Sequence, residues 1–239
     1  MKLRLRVLTS LTALAVLVSP APVPVGAGVA HAQAGSPRPF AVAQIQFEHN
    51  ATDGDFEVVL EAKGGDMGLN KLTVTAPNGR KVVDLTAPDA STLGLRQFRF
   101  ESPEPKDQQG IKAAYPEGAY TLAGTTASGL RFQGTATLSH TLPAAAKLVQ
   151  PAPDAEGVAI NGLVMRWTPV PQAVAYMVYI EQDQLLVNVN ARVPGSSSSF
   201  VVPDGFLAPG TEYTIGIGTV LKSGNATYTE ASFKTAAGN

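Results

Sequence analysis

The residues that could support catalysis are few, and their spacing does not favour it. After residue 32 the chain holds two histidines, His49 and His140, and it contains no cysteine. A Ser-His-Asp device needs a serine on a strained, exposed turn, and the serine-rich run at residues 196–199 lacks that setting. No spacing singles out a pair of carboxylates for glycoside hydrolysis. We therefore predict a non-enzymatic protein without a cofactor, in which both histidines are structural.

An acidic stretch at residues 48–57 could instead bind a cation. Asp53 and Asp55 flank Gly54, and Asp66 lies in a later glycine-containing turn. Carboxylate oxygens suit Ca²⁺, which takes about six to eight oxygen ligands. The order does not match an EF-hand loop, because the required glycine and glutamate are missing at their places. Asp-Gly is also a common hairpin turn, so we predict a turn and keep Asp53, Asp55 and Asp66 as weak candidates for a metal site.

Exposed aromatic side chains are a third possible source of chemistry, because they can stack on sugars. Tyr179 falls on the strand face opposite Tyr176, and Tyr228 lies on the last strand, but the only tryptophan, Trp167, is expected in the core. We therefore predict ordinary surface tyrosines. The triplets that begin at Asn50 and at Asn225 match the N-glycosylation pattern, which is weakly specific.

The elements that must position these residues are β-strands. From residue 40 onward apolar and polar residues alternate with a period of two, as at residues 56–60 and 130–138. Such strands have one buried face and one solvated face, which is typical of antiparallel sheets. Asn78-Gly79 and Ser128-Gly129 predict tight hairpin turns, and residues 110–115 could form one helical turn. We predict an immunoglobulin-like β-sandwich over residues 38–141.

The second half of the chain, residues 147–236, carries three landmarks in order. Trp167 ends an apolar strand, Tyr176 opens the next with the pattern Tyr-x-Val, and residues 207–213 read Leu-Ala-Pro-Gly-Thr-Glu-Tyr. This half resembles a fibronectin type III domain. The resemblance implies a β-sandwich with Trp167 in its core and a corner in which the Tyr213 hydroxyl bonds to the upstream backbone.

The fold class is therefore predicted to be all-β, with two consecutive antiparallel sandwiches. In the strand that follows the corner, Ile215 and Ile217 should point inward, and Gly216 and Gly218 outward. The linker near residues 143–146 is short and contains a proline, so it should act as a semi-rigid spacer. We expect the two sandwiches to be separately stable.

The first 32 residues are typical of a secretory signal peptide. Lys2, Arg4 and Arg6 precede an apolar run at residues 7–18, and Ala30-His31-Ala32 forms a small-x-small cleavage site. The run is shorter than the ~20 apolar residues of a membrane span. We predict cleavage after Ala32, secretion to the periplasm or the extracellular space, and no stable membrane insertion afterwards. A secreted chain without cysteine also fits a bacterial envelope better than an animal extracellular space.

Composition narrows the function further. The chain has 18 lysine and arginine residues against 19 aspartate and glutamate residues, and it lacks a basic cluster, which argues against a nucleic-acid partner. The sequence predicts a secreted binding or structural module at the cell envelope, acting through loops and sheet edges on an unknown protein or polysaccharide. Two alternatives remain open: a polysaccharide-binding accessory protein of a secreted hydrolase system, and a calcium-stabilised adhesive module.

Overall fold

The computed structural model describes residues 36–66, 68–87, 95–182 and 184–238. The predicted signal peptide and its cleavage site lie outside the described residues. Almost all of the regular structure is strand, and the one described helix, α1, spans Gln108–Ala114. Among the described residues, no helix has the length and apolar content that a membrane span requires.

The strands divide between the two halves of the chain. Those of the first half are β1 (Arg38–Pro39), β2 (Val42–Asn50), β3 (Asp55–Lys63), β4 (Leu69–Thr75), β5 (Lys81–Thr86), β6 (Gln97–Glu101), β7 (Gly118–Thr126) and β8 (Arg131–Leu138). Those of the second half are β9 (Leu148–Gln150), β10 (Ala155–Val158), β11 (Val164–Trp167), β12 (Ala175–Gln182), β13 (Val187–Pro194), β14 (Ser199–Val201), β15 (Glu212–Val220) and β16 (Ala226–Thr235).

The first half is a β-sandwich, as predicted. A sheet with the order β1-β8-β7-β4-β5 packs against β2, β3 and β6 around one apolar core that includes Phe47, Leu72 and Tyr120. The predicted hairpins join β4 to β5 and β7 to β8, and both turn glycines, Gly79 and Gly129, have the positive φ that such turns require. The predicted helical turn corresponds to α1.

The second half is also a β-sandwich, and its three landmarks take the places that the fibronectin type III resemblance implies. A sheet with the order β14-β11-β9 packs against β13, β12, β15 and β16. Trp167 is 3% exposed, and its ring centroid lies 5.3 Å from that of Tyr176. The Tyr213 hydroxyl accepts a hydrogen bond of 2.8 Å from the backbone N–H of Ala208, which forms the predicted corner. The resemblance is therefore confirmed at the level of the fold.

A feature that the sequence did not predict joins the two halves. Strand β16 pairs with β2 in parallel, with Ala226 opposite Glu48 and Tyr228 opposite Asn50. The result is one continuous eight-stranded sheet, to which we refer as the joint sheet: seven strands follow the order β13-β12-β15-β16-β2-β3-β6, and β10 pairs with β16 off this path. Seven strands spaced by ~4.8 Å make a face roughly 29 Å wide.

Asn225, just before β16, connects the two halves of the chain through side-chain hydrogen bonds. Its Nδ2 donates hydrogen bonds of 2.8 Å to the carbonyl oxygens of Ser139 and Thr141, and its Oδ1 accepts one of 3.0 Å from the N–H of Phe47. Because the Asn225 residue is 1% exposed and its amide nitrogen is engaged twice, the folded chain does not present the glycosylation triplet at this position.

Residues 35–239 form one compact unit that contains two main apolar cores. The domain boundaries at residues 38–141 and 147–236 stay a prediction, as does the separate stability of the two sandwiches. The pairing of β16 with β2 opposes separate unfolding, because either half would then lose a hydrogen-bonded neighbour.

Candidate functional site

The two histidines make packing contacts in the structure. The His49 ring stacks on Phe56 with centroids 4.4 Å apart, and burial lowers the pKa of His49, which favours a neutral ring. The His140 ring packs on Phe47, and its Nε2 lies 2.8 Å from the carbonyl oxygen of Tyr115. These contacts give both side chains a structural role.

The three acidic candidates for a metal site do not converge. Asp53 and Asp55 belong to the hairpin between β2 and β3, where Asn50 Nδ2 donates to Asp53 Oδ2 at 3.1 Å and Gly54 takes a positive φ. Asp66 follows the opposite end of β3, roughly 27 Å away at the rise of an extended strand. Among the described residues, no group of three or more histidine, aspartate or glutamate side chains has the spacing to hold a metal ion.

The outer face of the joint sheet, which points away from both cores, carries the most distinctive arrangement of side chains. Tyr179 on β12 lies opposite Gly216, and Tyr228 on β16 lies opposite Gly218. A Cβ atom at Gly216 would clash with the Tyr179 ring, and one at Gly218 would clash with the Tyr228 ring. The two glycines therefore allow both rings to lie over the central strand β15, with centroids 6.5 Å apart.

Carboxylates lie beside the hydroxyl groups of both rings. The Tyr179 hydroxyl donates to Glu230 Oε1, and Glu48, on the neighbouring half of the chain, lies near enough to the Tyr228 hydroxyl to raise its pKa. Burial raises the pKa of both tyrosines, and the nearby carboxylates raise it further, so both hydroxyls stay protonated. The hydroxyl end of the Tyr179 ring is thus held by Glu230, and the Tyr228 ring lies beside a carboxylate of the first half.

A groove runs over these rings. It has a volume of about 1210 Å³, and we call it the outer groove. Its lining combines two tyrosines, amides and charged groups from both halves of the chain, and it includes Gln44, Gln46, Glu48, Glu61, Arg99, Met177, Tyr179, Asn190, Arg192 and Tyr228.

One end of the outer groove is strongly acidic. A smaller hollow of about 270 Å³ lies there, which we call the acidic end; it is lined by Glu48, Asn50, Asp53, Asp55, Glu57, Arg99, Glu104, Tyr179, Tyr228 and Glu230. Arg99 is its only basic lining residue, and it already forms ion pairs with Glu61 at 2.9 Å and Glu101 at 2.6 Å. The remaining carboxylates of the acidic end therefore lack a matching cation within the lining.

Two of these carboxyl groups are in direct contact. Glu48 and Glu57 lie opposite each other on β2 and β3 and share a hydrogen bond. Burial raises the pKa of Glu48. The positive charge of Arg99 lowers this pKa, but by less than burial raises it. Burial, reinforced by the charge of Glu48, raises the pKa of Glu57 to about 8. Glu57 therefore holds a proton at neutral pH, and its Oε2 is buried without a hydrogen-bond partner.

This proton predicts a pH dependence of stability. Glu57 releases its proton near pH 4.5 in the unfolded chain but near pH 8 in the folded chain. Between these values the folded chain binds more protons than the unfolded chain, so the contribution of Glu57 to stability is present below pH 4.5 and is lost as the pH rises through 8. Glu48 acts in the same direction, and His49, whose pKa is lowered, acts in the opposite one.

The variant Glu57→Gln isolates the effect, because a glutamine amide can donate to Glu48 as the protonated acid does. Urea unfolding at pH 5, 7 and 9 should show the variant gaining stability relative to the wild type as the pH rises. Parallel pH profiles for the two proteins would contradict the assignment.

Sequence reasoning treated Tyr179 and Tyr228 as isolated surface residues and did not select Glu48, Glu57 or Glu230. Two signals could have found part of this site. The outward positions of Gly216 and Gly218, predicted correctly, leave space that a neighbouring aromatic ring can fill. A hairpin centred on the Asp53 turn also places Glu48 opposite Glu57.

Comparison with known proteins finds only distant structural similarity. No family model matches the chain, and no curated protein matches it either. Among solved structures, a two-domain fibronectin type III segment of chicken tenascin is 14% identical, with 82% of this chain and 99% of that chain covered and a TM-score of 0.32. The fibronectin(III)-like modules of Clostridium thermocellum CbhA are 13% identical, with 82% and 90% covered and a TM-score of 0.33. At such values, functional arguments depend on this chain's own residues.

Proposed function

We propose that this protein is a secreted, non-enzymatic binding module of the cell envelope that holds its partner on the outer face of the joint sheet. The observation that carries the proposal is the pair of tyrosine rings on Gly216 and Gly218, lying in a groove of about 1210 Å³ that spans both halves of the chain. Ligand sites are typically concave and combine aromatic surface with a few polar groups. Secretion is inferred from the leader-like residues 1–32.

The arrangement of the carboxylates supports a binding role over a hydrolytic one. Glu48 and Glu57 are hydrogen-bonded to each other. The two carboxyl groups of a glycosidase stand about 5–9.5 Å apart, on either side of the bond to be cleaved. A contacting pair that shares a proton leaves no room for a sugar or a water molecule between its members.

The two alternative functions that the sequence leaves open would each use a different part of the surface. A polysaccharide-binding accessory protein would use the outer groove as a sugar platform, since Tyr179, Tyr228, Asn190 and Gln46 offer stacking and hydrogen bonds. A calcium-stabilised adhesive module would bind the cation at the hairpin of Asp53 and Asp55. Asp66 follows the opposite end of β3 and is too far away to act as a further ligand.

Site-specific photocrosslinking tests the proposed surface. A benzophenone side chain is placed at Gln44 or at Asn190, which are both exposed and line the outer groove from different halves of the chain. The matched control is Thr121, which is exposed on β7 in the other sheet. In cells that export the protein to the envelope, both groove positions should crosslink to the same partner, and Thr121 should not crosslink to it. Crosslinks from Thr121 alone, or different partners for the two groove positions, would refute this surface.

A further inference from the structure

We infer that the acidic end of the outer groove is a recognition site for a basic side chain, so that the partner is a protein that presents a lysine- or arginine-bearing extended segment. The inference rests on the proposed function and specifies its ligand class. The argument combines charge, desolvation and the position of the tyrosine rings.

Charge complementarity is the first step. Within the lining of the acidic end, Arg99 is the one basic residue, and two other carboxylates already bind it. Glu104 and Glu230 therefore face the hollow with no cation bonded to them among the described ion pairs, whereas Glu57 keeps its proton and carries no charge. Carboxylates gathered in this way repel one another, and a bound cation relieves the repulsion.

Desolvation is the second step. Glu48 is 4% exposed although it lies on the outer face, and the carboxyl group of Glu57 contacts it directly. Buried carboxyl groups have lost water and are only partly compensated by hydrogen bonds, since Glu57 Oε2 has none. A donor with several N–H groups, such as an ammonium or a guanidinium group, can bond to several such oxygens at once.

The tyrosine rings are the third step, and they favour an organic cation over a metal ion. Tyr179 and Tyr228 line the acidic end and also the wider groove beside it. Ring faces attract ammonium and guanidinium groups and also pack against their apolar stems. A basic side chain entering between the rings and Glu230 would meet both kinds of contact, while its backbone extends along the groove.

The binding experiment uses the whole mature chain and a fluorescein-labelled peptide of alternating glycine and lysine. The matched probe is the same peptide with its lysines acetylated, which removes the charge and keeps the length. Fluorescence anisotropy at about 50 mM salt should show saturable binding of the lysine peptide and at least tenfold weaker binding of the acetylated one.

Two variants with equal charge separate site recognition from general attraction. Glu104→Gln with Glu230→Gln removes two charges at the acidic end, and Glu156→Gln with Glu212→Gln removes two exposed charges that do not line it. The first pair should weaken binding at least tenfold and the second by less than about twofold. Tyr179→Ala should weaken it about threefold to tenfold, with circular dichroism confirming the fold and Tyr179→Phe as the milder variant.

Three outcomes would overturn the inference: equal loss in both charge pairs, equal binding of the acetylated peptide, or competition by millimolar Ca²⁺ at an ionic strength held constant. Binding of a neutral oligosaccharide such as cellohexaose in place of the peptide would also overturn it. In that last case the photocrosslinks from the outer groove would persist, so the proposed surface would survive while the ligand class would not. Loss of the crosslinks themselves would instead refute the proposed function.

Discussion

Replacement of Trp167 by alanine is expected to lower the free energy of unfolding by about 3–5 kcal/mol. The residue is 3% exposed and packs in the second core beside Tyr176. Its removal takes a large apolar surface out of the core and leaves a cavity that the two packed sheets containing β11 and β12 can close only in part. Urea unfolding followed by circular dichroism measures the loss.

Trp167→Phe is the matched control. It keeps an aromatic ring in the same place and removes an indole nitrogen that is buried without a hydrogen-bond partner. The expected loss is therefore below about 2 kcal/mol. The wild-type protein should fluoresce with the short-wavelength maximum of a buried indole. A maximum typical of indole in water, or a negligible loss in the alanine variant, would contradict the position of Trp167.

Asn225→Ala is expected to cost about 2–4 kcal/mol, although the residue lies outside both main cores. Its side chain makes three hydrogen bonds that connect the start of β16 to β2 and to Ser139 and Thr141, which follow β8. The alanine variant leaves a buried N–H and two carbonyl oxygens without these partners, and each such group costs about 1–3 kcal/mol unless water replaces the partner.

The loss should also weaken the coupling between the two halves. Thermal unfolding of the wild type is expected as one transition, and the variant should show a broader or divided one. Asn78→Ala is the control, because Asn78 makes one hydrogen bond, of 3.1 Å to the N–H of Arg80, in an exposed turn. Equal and small effects of the two variants would show that Asn225 does not hold the junction.

Local signals explain why much of the fold could be predicted from the sequence. Alternation with a period of two marks the strands, and Asn78-Gly79 and Ser128-Gly129 mark hairpins whose glycines take the positive φ that most residues avoid. The corner at Tyr213 was predictable because its parts lie within seven neighbouring positions. Each of these features depends on residues that are close in the sequence, so one sequence is enough to reveal them.

The candidate site depends on contacts that no local pattern encodes. Phe47 and Asn225 lie 178 positions apart in the sequence. Strands β2 and β16 pair in parallel without a connecting turn, so no local sequence pattern predicts their pairing. Only this pairing brings Tyr228 beside Glu48. It also places residues of both halves in the lining of one groove. Asp53 and Asp55 lie in the hairpin turn that the sequence predicts, and Asp66 follows the opposite end of β3, so a metal site formed by these residues stays a prediction.

The pairing of β2 with β16 is the central claim, because the outer groove exists only if the two halves share a sheet. Two amides report on it: Phe47 N–H donates to Asn225 Oδ1 at 3.0 Å, and Ala51 N–H donates to the Tyr228 carbonyl oxygen at 2.8 Å. Amide hydrogen exchange of the protein, followed by NMR, measures the opening of both bonds. We predict that Phe47 and Ala51 exchange about as slowly as Ile217 in the core of β15. Fast exchange at both amides, with Ile217 still protected, would mean that the halves fold side by side without a joint sheet.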